Sequence, residues 1–188
     1  MGSSRPGPNL FIAGFAKCGT TALHEYLSTH PNVHASFPKE PHFFVEDGWR
    51  PRPARSEAEY LRCFAGASPD ARVFLDSSVF HINSPQALRK MRAFNPDAKI
   101  IVMIRHPVEM LASFHAYSCR LFIEPVTGFE DAWNLQAARA EGRDLPPHCE
   151  FPRLLQYRSL GSMGQHVATL LDIWPRTQIG RASCRERV

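Results

Sequence analysis

The stretch GFAKCGTT, residues 14–21, decides how this chain is read. Its two glycines, Gly14 and Gly19, keep the spacing of the G-x-x-x-x-G-K-[ST] loop that binds nucleoside triphosphates. Thr20 stands where that loop needs its lysine, and Lys17 comes three positions earlier. Before the stretch, NLFIAG (9–14) is a short apolar run ending in glycine, which suits a buried parallel strand. After it, Ala22, Leu23, Tyr26 and Leu27 recur at helical spacing until His30-Pro31 stops the helix. The stretch therefore sits at a strand-to-helix junction, the context a phosphate loop requires.

The alternation continues outward. SEAEYLRCF (56–64) opens with a capping serine and an acidic first turn, so a helix starts there. ARVFLDSS (71–78) reads as a second strand. SPQALRKMRAF (84–94) places Ser84 as N-cap and Pro85 at the first helical position. KIIVMIR (99–105) is the strongest strand, apolar on both faces, and His106-Pro107 begins a helix running to about Phe122. Residues 128–142 and 160–174 read as further helices, separated by a proline-rich stretch around Pro146 and Pro147, and the segment 50–55 reads as a surface loop. Strand and helix in turn predict an α/β class, a three-layer P-loop-like fold with a parallel sheet flanked by helices.

The 188 residues suffice for one domain with a sizeable core. A net charge of +4 is too weak to argue for nucleic acid, and no apolar run approaches the roughly 20 residues that span a membrane. The opening segment MGSSRPGPN lacks the apolar core of a signal peptide, and Pro6 occupies the Ser/Thr position of the myristoylation pattern. The five cysteines (18, 63, 119, 149, 184) include no C-x-x-C pair, so reduced thiols in a cytoplasmic protein are expected. The last ten residues, IGRASCRERV (179–188), carry no helical or strand period. They resemble the conceptual translation of a sequencing adapter, the alternative being a genuine basic tail. Without them three arginines and one glutamate leave, and the net charge falls to +2.

In the 14–21 loop, backbone N–H groups, the helix dipole, the Lys17 charge and the Thr20 and Thr21 hydroxyls converge on one point. The alternative is a tight βα turn whose glycines only permit the bend. Arg105 ends the strongest strand, at the sheet edge where open α/β sheets bind ligands. Ser113 follows two helical turns later. An arginine can hold a phosphate dianion bidentately, with a serine hydroxyl as an added donor.

Together, K-x-G-T-T at the first strand–helix turn, His-Pro after that helix, and R-x-P followed by a serine resemble the sulfotransferases that use 3′-phosphoadenosine 5′-phosphosulfate (PAPS). The resemblance covers residues 10–122. It implies that Lys17, Cys18, Gly19, Thr20 and Thr21 hold the 5′-phosphosulfate and that Arg105 and Ser113 hold the 3′-phosphate. FPKEPHFF (37–44) resembles the K-E-x-H-F-F segment of the heparan-sulfate type, which makes Glu40 the expected general base. Lys39 and His42 would assist, with His42 as the fallback base. That type continues after the second strand with an acidic residue, lysine, Ser/Thr and proline, whereas this chain has Asp76, Ser77, Ser78 and Val79. The departure bears on the acceptor, for which Asp76 is a weak orienting candidate.

The resemblance gives a sulfotransferase domain over residues 1–178, incomplete at its C-terminus, with 179–188 as a non-native tail. It implies PAPS as donor and a small-molecule or carbohydrate acceptor. A metal is not expected, because a sulfuryl group bears less charge than a terminal phosphoryl group and no Cys/His cluster has ligand spacing. A P-loop kinase, which would want lysine at position 20, and an inactive fragment that binds the nucleotide product are the competing readings.

Overall fold

A computed structural model describes residues 7–46 and 54–183. The loop read at 50–55 falls mostly outside them, as do residues 1–6 and 184–188. Five strands form one parallel sheet: β1 (Leu10–Ile12), β2 (Val33–Ala35), β3 (Val73–Asp76), β4 (Lys99–Ile104) and β5 (Ile179–Ser183), in the order β2-β3-β1-β4-β5. The α/β fold with a parallel sheet flanked by helices is therefore present.

Eight helices accompany it among the described residues: α1 (Thr20–Ser28), α2 (Glu57–Arg62), α3 (Pro85–Phe94), α4 (Pro107–Arg120), α5 (Phe129–Asn134), α6 (Gln136–Ala140), α7 (Tyr157–Gly161) and α8 (Met163–Ile173). Ser56 and Glu59 form a reciprocal capping box on α2, and Ser84 caps α3 with Pro85 at its first position. The helix expected over 128–142 divides at Leu135 into α5 and α6. The helix expected over 160–174 begins at Met163, after the separate turn of α7.

Two strands carry no readable period. β2 is three residues long. β5 occupies part of the segment read as structureless, where Ile179 to Ser183 pair with β4 from Ile100 to Ile104.

Phe11, Ile12, Ile100 and Val102 make the centre of the sheet almost wholly inaccessible. Each large apolar side chain buried this way stabilises the fold by about 1.5–3 kcal/mol. Trp174, also buried, donates its indole N–H to the Leu88 carbonyl at 3.1 Å and ties the end of α8 to α3. β1 is central, and its hydrogen bonding to β4 continues past the strand, from Ala13 N–H to Ile101 O and from Phe15 N–H to Met103 O. The loop after β1 is thus held between the carboxyl ends of β3 and β4, at the switch point where open sheets bind ligands.

Candidate active site

The two glycines of the β1–α1 loop serve different needs. A Cβ on Gly14 would lie 2.7 Å from Met103 Cβ and 2.9 Å from its backbone nitrogen, so the loop can pass β4 only without a side chain. Gly19, at φ 82°, takes the left-handed conformation directly before α1. The N–H groups of Thr20, Thr21 and Ala22 then have no partner within the helix and suit an anion.

A cavity of about 590 Å³ opens at this point. Lys17, Gly19, Thr20 and Thr21 line it from the loop and α1, and Arg105 and Ser113 line it from the end of β4 and from α4. The two groups of residues predicted to hold opposite ends of a donor therefore face one space. Lys17 Nζ stands 4.6 Å from the centre of the Tyr117 ring, a cation–π contact that fixes its direction. Arg105 Nε lies 3.2 Å from Glu109 Oε2, one turn along α4. Glu25 also lines the cavity, but it is exposed and its charge is screened by solvent.

Cys18 is the exception among the predicted donor residues. Its side chain is fully buried in the core and its N–H donates to the Phe15 carbonyl at 3.3 Å, so it closes the turn and does not line the cavity. Tyr117 was not singled out from sequence. The available signal was its place on α4 four residues after Ser113, on the same helix face.

A second cavity, of about 630 Å³, is lined by Lys39, Glu40 and His42 together with Phe122, Ile123 and residues 146–151. Among the described residues Glu40 is the one that lines both cavities. Among the described residues six non-glycines have positive φ: Lys17, Glu40, His42, Phe122, Asp144 and His148. All but Asp144 line one cavity or the other. Such backbone costs on the order of 1–3 kcal/mol per residue and persists where the surroundings impose it, commonly at functional sites.

Glu40 is held by two donors, Lys39 Nζ at 2.5 Å from Oε1 and His42 Nε2 at 3.2 Å from Oε2. Burial alone would raise its carboxyl. The hydrogen bonds from His42 and Lys39 outweigh burial and bring it down to about 2. Glu40 is therefore a carboxylate throughout the physiological range.

Beneath it, the His42 N–H donates to Ser78 Oγ at 3.0 Å, and the Ser78 hydroxyl and N–H donate to Asp76 Oδ1 at 2.6 and 2.8 Å. Tyr60 donates to Asp76 Oδ2 at 2.6 Å. Asp76 is wholly buried, so the expectation that it orients an acceptor is corrected: it anchors the segment carrying His42 and Glu40. Ser77, where the heparan-type pattern has lysine, is hydrogen-bonded to His24 Nδ1 at 2.8 Å.

The second cavity's far wall is fastened by a buried ion pair. Arg139 Nη1 and Nη2 lie 2.6 and 2.9 Å from the two oxygens of Glu124, which also accepts from the Tyr157 hydroxyl at 2.8 Å. Burial acts to raise the Glu124 carboxyl, but the bonds from Arg139 and Tyr157 and the Val126 N–H hold it below its ordinary value. Arg139 Nε further donates to the Asp144 carbonyl at 3.2 Å, joining the Phe122–Ile123 wall to the chain that leads into Pro146.

Among the described residues no helix is long and apolar enough to cross a membrane. The family model of the sulfotransferase domain matches residues 7–180. The human heparan sulfate glucosamine 3-O-sulfotransferase 6 is 32% identical over 118 residues, covering 61% of this chain and 32% of that protein. The human bifunctional heparan sulfate N-deacetylase/N-sulfotransferase 2 is 33% identical over 179 residues, covering 92% of this chain and 19% of that protein. The chain thus spans a third or less of the length of these curated relatives. A solved sulfotransferase from Alicyclobacillus acidocaldarius superposes with a TM-score of 0.80 at 30% identity, over 94% of this chain and 72% of that one.

Proposed function

The chain belongs to the sulfotransferase domain family, and from that premise we propose that it transfers a sulfuryl group from PAPS to an acceptor hydroxyl or amine, with Glu40 as general base. The observation that carries the reading is the position of Glu40 in the wall common to both cavities. A base between donor and acceptor must reach both.

The first cavity fits the donor chemically. It offers two cations, Lys17 from the β1–α1 loop and Arg105 from the end of β4, with the α1 N-terminus beside Lys17. Lys17 and the Thr20 and Thr21 groups would hold the 5′-phosphosulfate, and Arg105 and Ser113 the 3′-phosphate. When bound, the donor supplies the sulfuryl group: the acceptor atom forms the new bond to sulfur, the bond from sulfur to the phosphate oxygen breaks, and 3′-phosphoadenosine 5′-phosphate leaves. Lys17 stabilises the charge that grows on the leaving phosphate. Glu40 takes the acceptor proton.

Glu40 can accept that proton only if its two donors yield. An acceptor hydroxyl entering beside it competes with Lys39 and His42 for its oxygens, and each bond displaced makes the carboxylate more basic. His42 lines only the second cavity and directs Nε2 at Glu40, which favours Glu40 over His42 as the group that meets the acceptor.

Calorimetric titration with 3′-phosphoadenosine 5′-phosphate against ATP-Mg²⁺ tests the donor. Preference for the bisphosphate is expected, and preference for ATP would sink the reading in favour of a kinase. Transfer of labelled sulfate in wild type and in Glu40→Gln tests the base. Undiminished transfer in the variant would remove Glu40 from that role, and bisphosphate binding with no transfer in the wild type would favour a product-binding module.

A further inference from the structure

We infer that the acceptor is a neutral, hydroxyl-bearing molecule with an apolar or aromatic body, held in the second cavity, and not a polyanionic chain. The inference rests on the sulfuryl-transfer reading above and names the substrate class of that same site.

The two cavities that meet at Glu40 differ in the cations they offer. The donor cavity carries Lys17 and Arg105 beside Glu40 and the exposed Glu25. The second cavity has no arginine among its described lining residues, and its one lysine, Lys39, is committed to Glu40 at 2.5 Å. The glutamates of its lining are Glu40, paired with that lysine, and Glu150, which is exposed and screened by solvent as Glu25 is in the donor cavity. A chain bearing uronates or sulfates needs arginines or lysines along its path. Here its anions would find no arginine and no uncommitted lysine among the described lining residues.

What the wall offers instead is apolar surface. Phe122, Ile123, Pro146, Pro147 and Phe151 line the cavity together with Lys39 and His42. Phe122 is 92% exposed, set just past the end of α4 on a left-handed backbone. One exposed phenylalanine is unremarkable by itself. Beside a cavity that already contains Phe151 and two prolines, it extends a stacking surface suited to an aromatic ring or the apolar face of a sugar. His148 and Cys149 complete the wall without adding a fixed cation.

The names of the curated relatives place heparan sulfate, a polyanion, on those proteins. The shortage of cations in the second cavity sets the acceptor proposed for this chain apart from such a polyanion.

The test uses the full chain and two probes, 4-nitrophenyl β-glucoside as the neutral aryl sugar and an unsulfated N-acetylheparosan hexasaccharide as the uronate-bearing chain. Binding of each is measured with and without saturating 3′-phosphoadenosine 5′-phosphate. The glucoside is expected to bind more tightly than the hexasaccharide in both conditions. Phe122→Ala should weaken the glucoside roughly three- to tenfold, the size of a lost aromatic contact. Because Phe122 is exposed, that variant keeps the fold. Glu150→Arg should improve hexasaccharide binding. Tighter binding of the hexasaccharide by wild type, binding of neither probe, or indifference to Phe122→Ala would each overturn the inference. Failure of the bisphosphate to bind would instead remove the donor reading, while the preference between probes is still read on the chain without nucleotide.

Discussion

His42 Nε2 lies 3.2 Å from Glu40 Oε2, and both residues sit on left-handed backbone. With Glu40 as the proposed base, the pair sets when that base is available. Glu40 must be deprotonated to act, and with its carboxyl at about 2 this group leaves the rate level from about pH 4 upward. His42→Asn tolerates the same backbone but is too short to bridge. Burial, which opposes the charge, then acts with only Lys39 against it, and the acid limb of kcat/KM moves to higher pH. The stability sign follows the same shift. A carboxyl lowered from 4.5 stabilises the fold above about pH 4.5, and that contribution is lost as pH falls toward 2. His42→Asn should therefore flatten the acid end of a thermal-stability profile while raising the acid limb of activity. An unmoved limb would separate His42 from the base.

The proposed donor clamp predicts two different kinetic signatures. Lys17 and Arg105 face the same cavity from different elements. A charge-assisted bond contributes about 1.5–3 kcal/mol, so Lys17→Ala and Arg105→Ala should each raise the dissociation constant of 3′-phosphoadenosine 5′-phosphate roughly ten- to a hundredfold. Ser113→Ala, losing a neutral donor, should cost less. Arg105→Ala acts on binding and should raise the donor KM with kcat little changed. Lys17→Ala removes charge where it develops and should lower kcat as well. Identical signatures would argue against separate roles at the two ends.

Much of this was legible because the features are local. The β1–α1 junction, the Ser84-Pro85 helix start and the Arg105–Ser113 pair each lie within one or two consecutive elements. Tyr117 was reachable by the same helical spacing. β5 was not, because Gly180 to Ser183 join the sheet by backbone pairing with β4, which leaves no side-chain period. The role of Asp76 was hidden because its partner Tyr60 is brought to it by the packing of α2, sixteen residues earlier. The wall at residues 146–151 showed in the sequence only as a proline-rich stretch around Pro146 and Pro147. Its place beside Phe122 depends on Glu124 and Arg139, fifteen residues apart and paired only in the folded chain.

That ion pair should therefore act on the acceptor and spare the donor. Removing one member of a buried pair strands the other and costs about 3–5 kcal/mol. Arg139→Met should lower the midpoint of thermal unfolding by many degrees and free the chain leading into Pro146. Below its unfolding range, the variant should show a raised acceptor KM with the affinity for 3′-phosphoadenosine 5′-phosphate near wild type. Equal loss of both affinities would mean that the second cavity is not held separately.

The two glycines of the opening loop separate packing from conformation. Gly14 has no room, with Met103 Cβ 2.7 Å from the place a Cβ would take and Met103 lying in β4. Gly14→Ala overpacks the loop against that strand at a cost of about 1–3 kcal/mol and should lower thermal stability. Gly19 is needed for its φ of 82°, which in an L-residue costs roughly 1–2 kcal/mol. Asparagine tolerates this region better than alanine. Gly19→Ala should thus weaken 3′-phosphoadenosine 5′-phosphate binding, because relaxing φ turns the α1 N–H groups away from the cavity, and Gly19→Asn should recover part of the loss. Calorimetry on the three variants distinguishes the causes. Recovery by asparagine marks conformation, whereas equal loss in Ala and Asn would mean that bulk at position 19 obstructs the cavity.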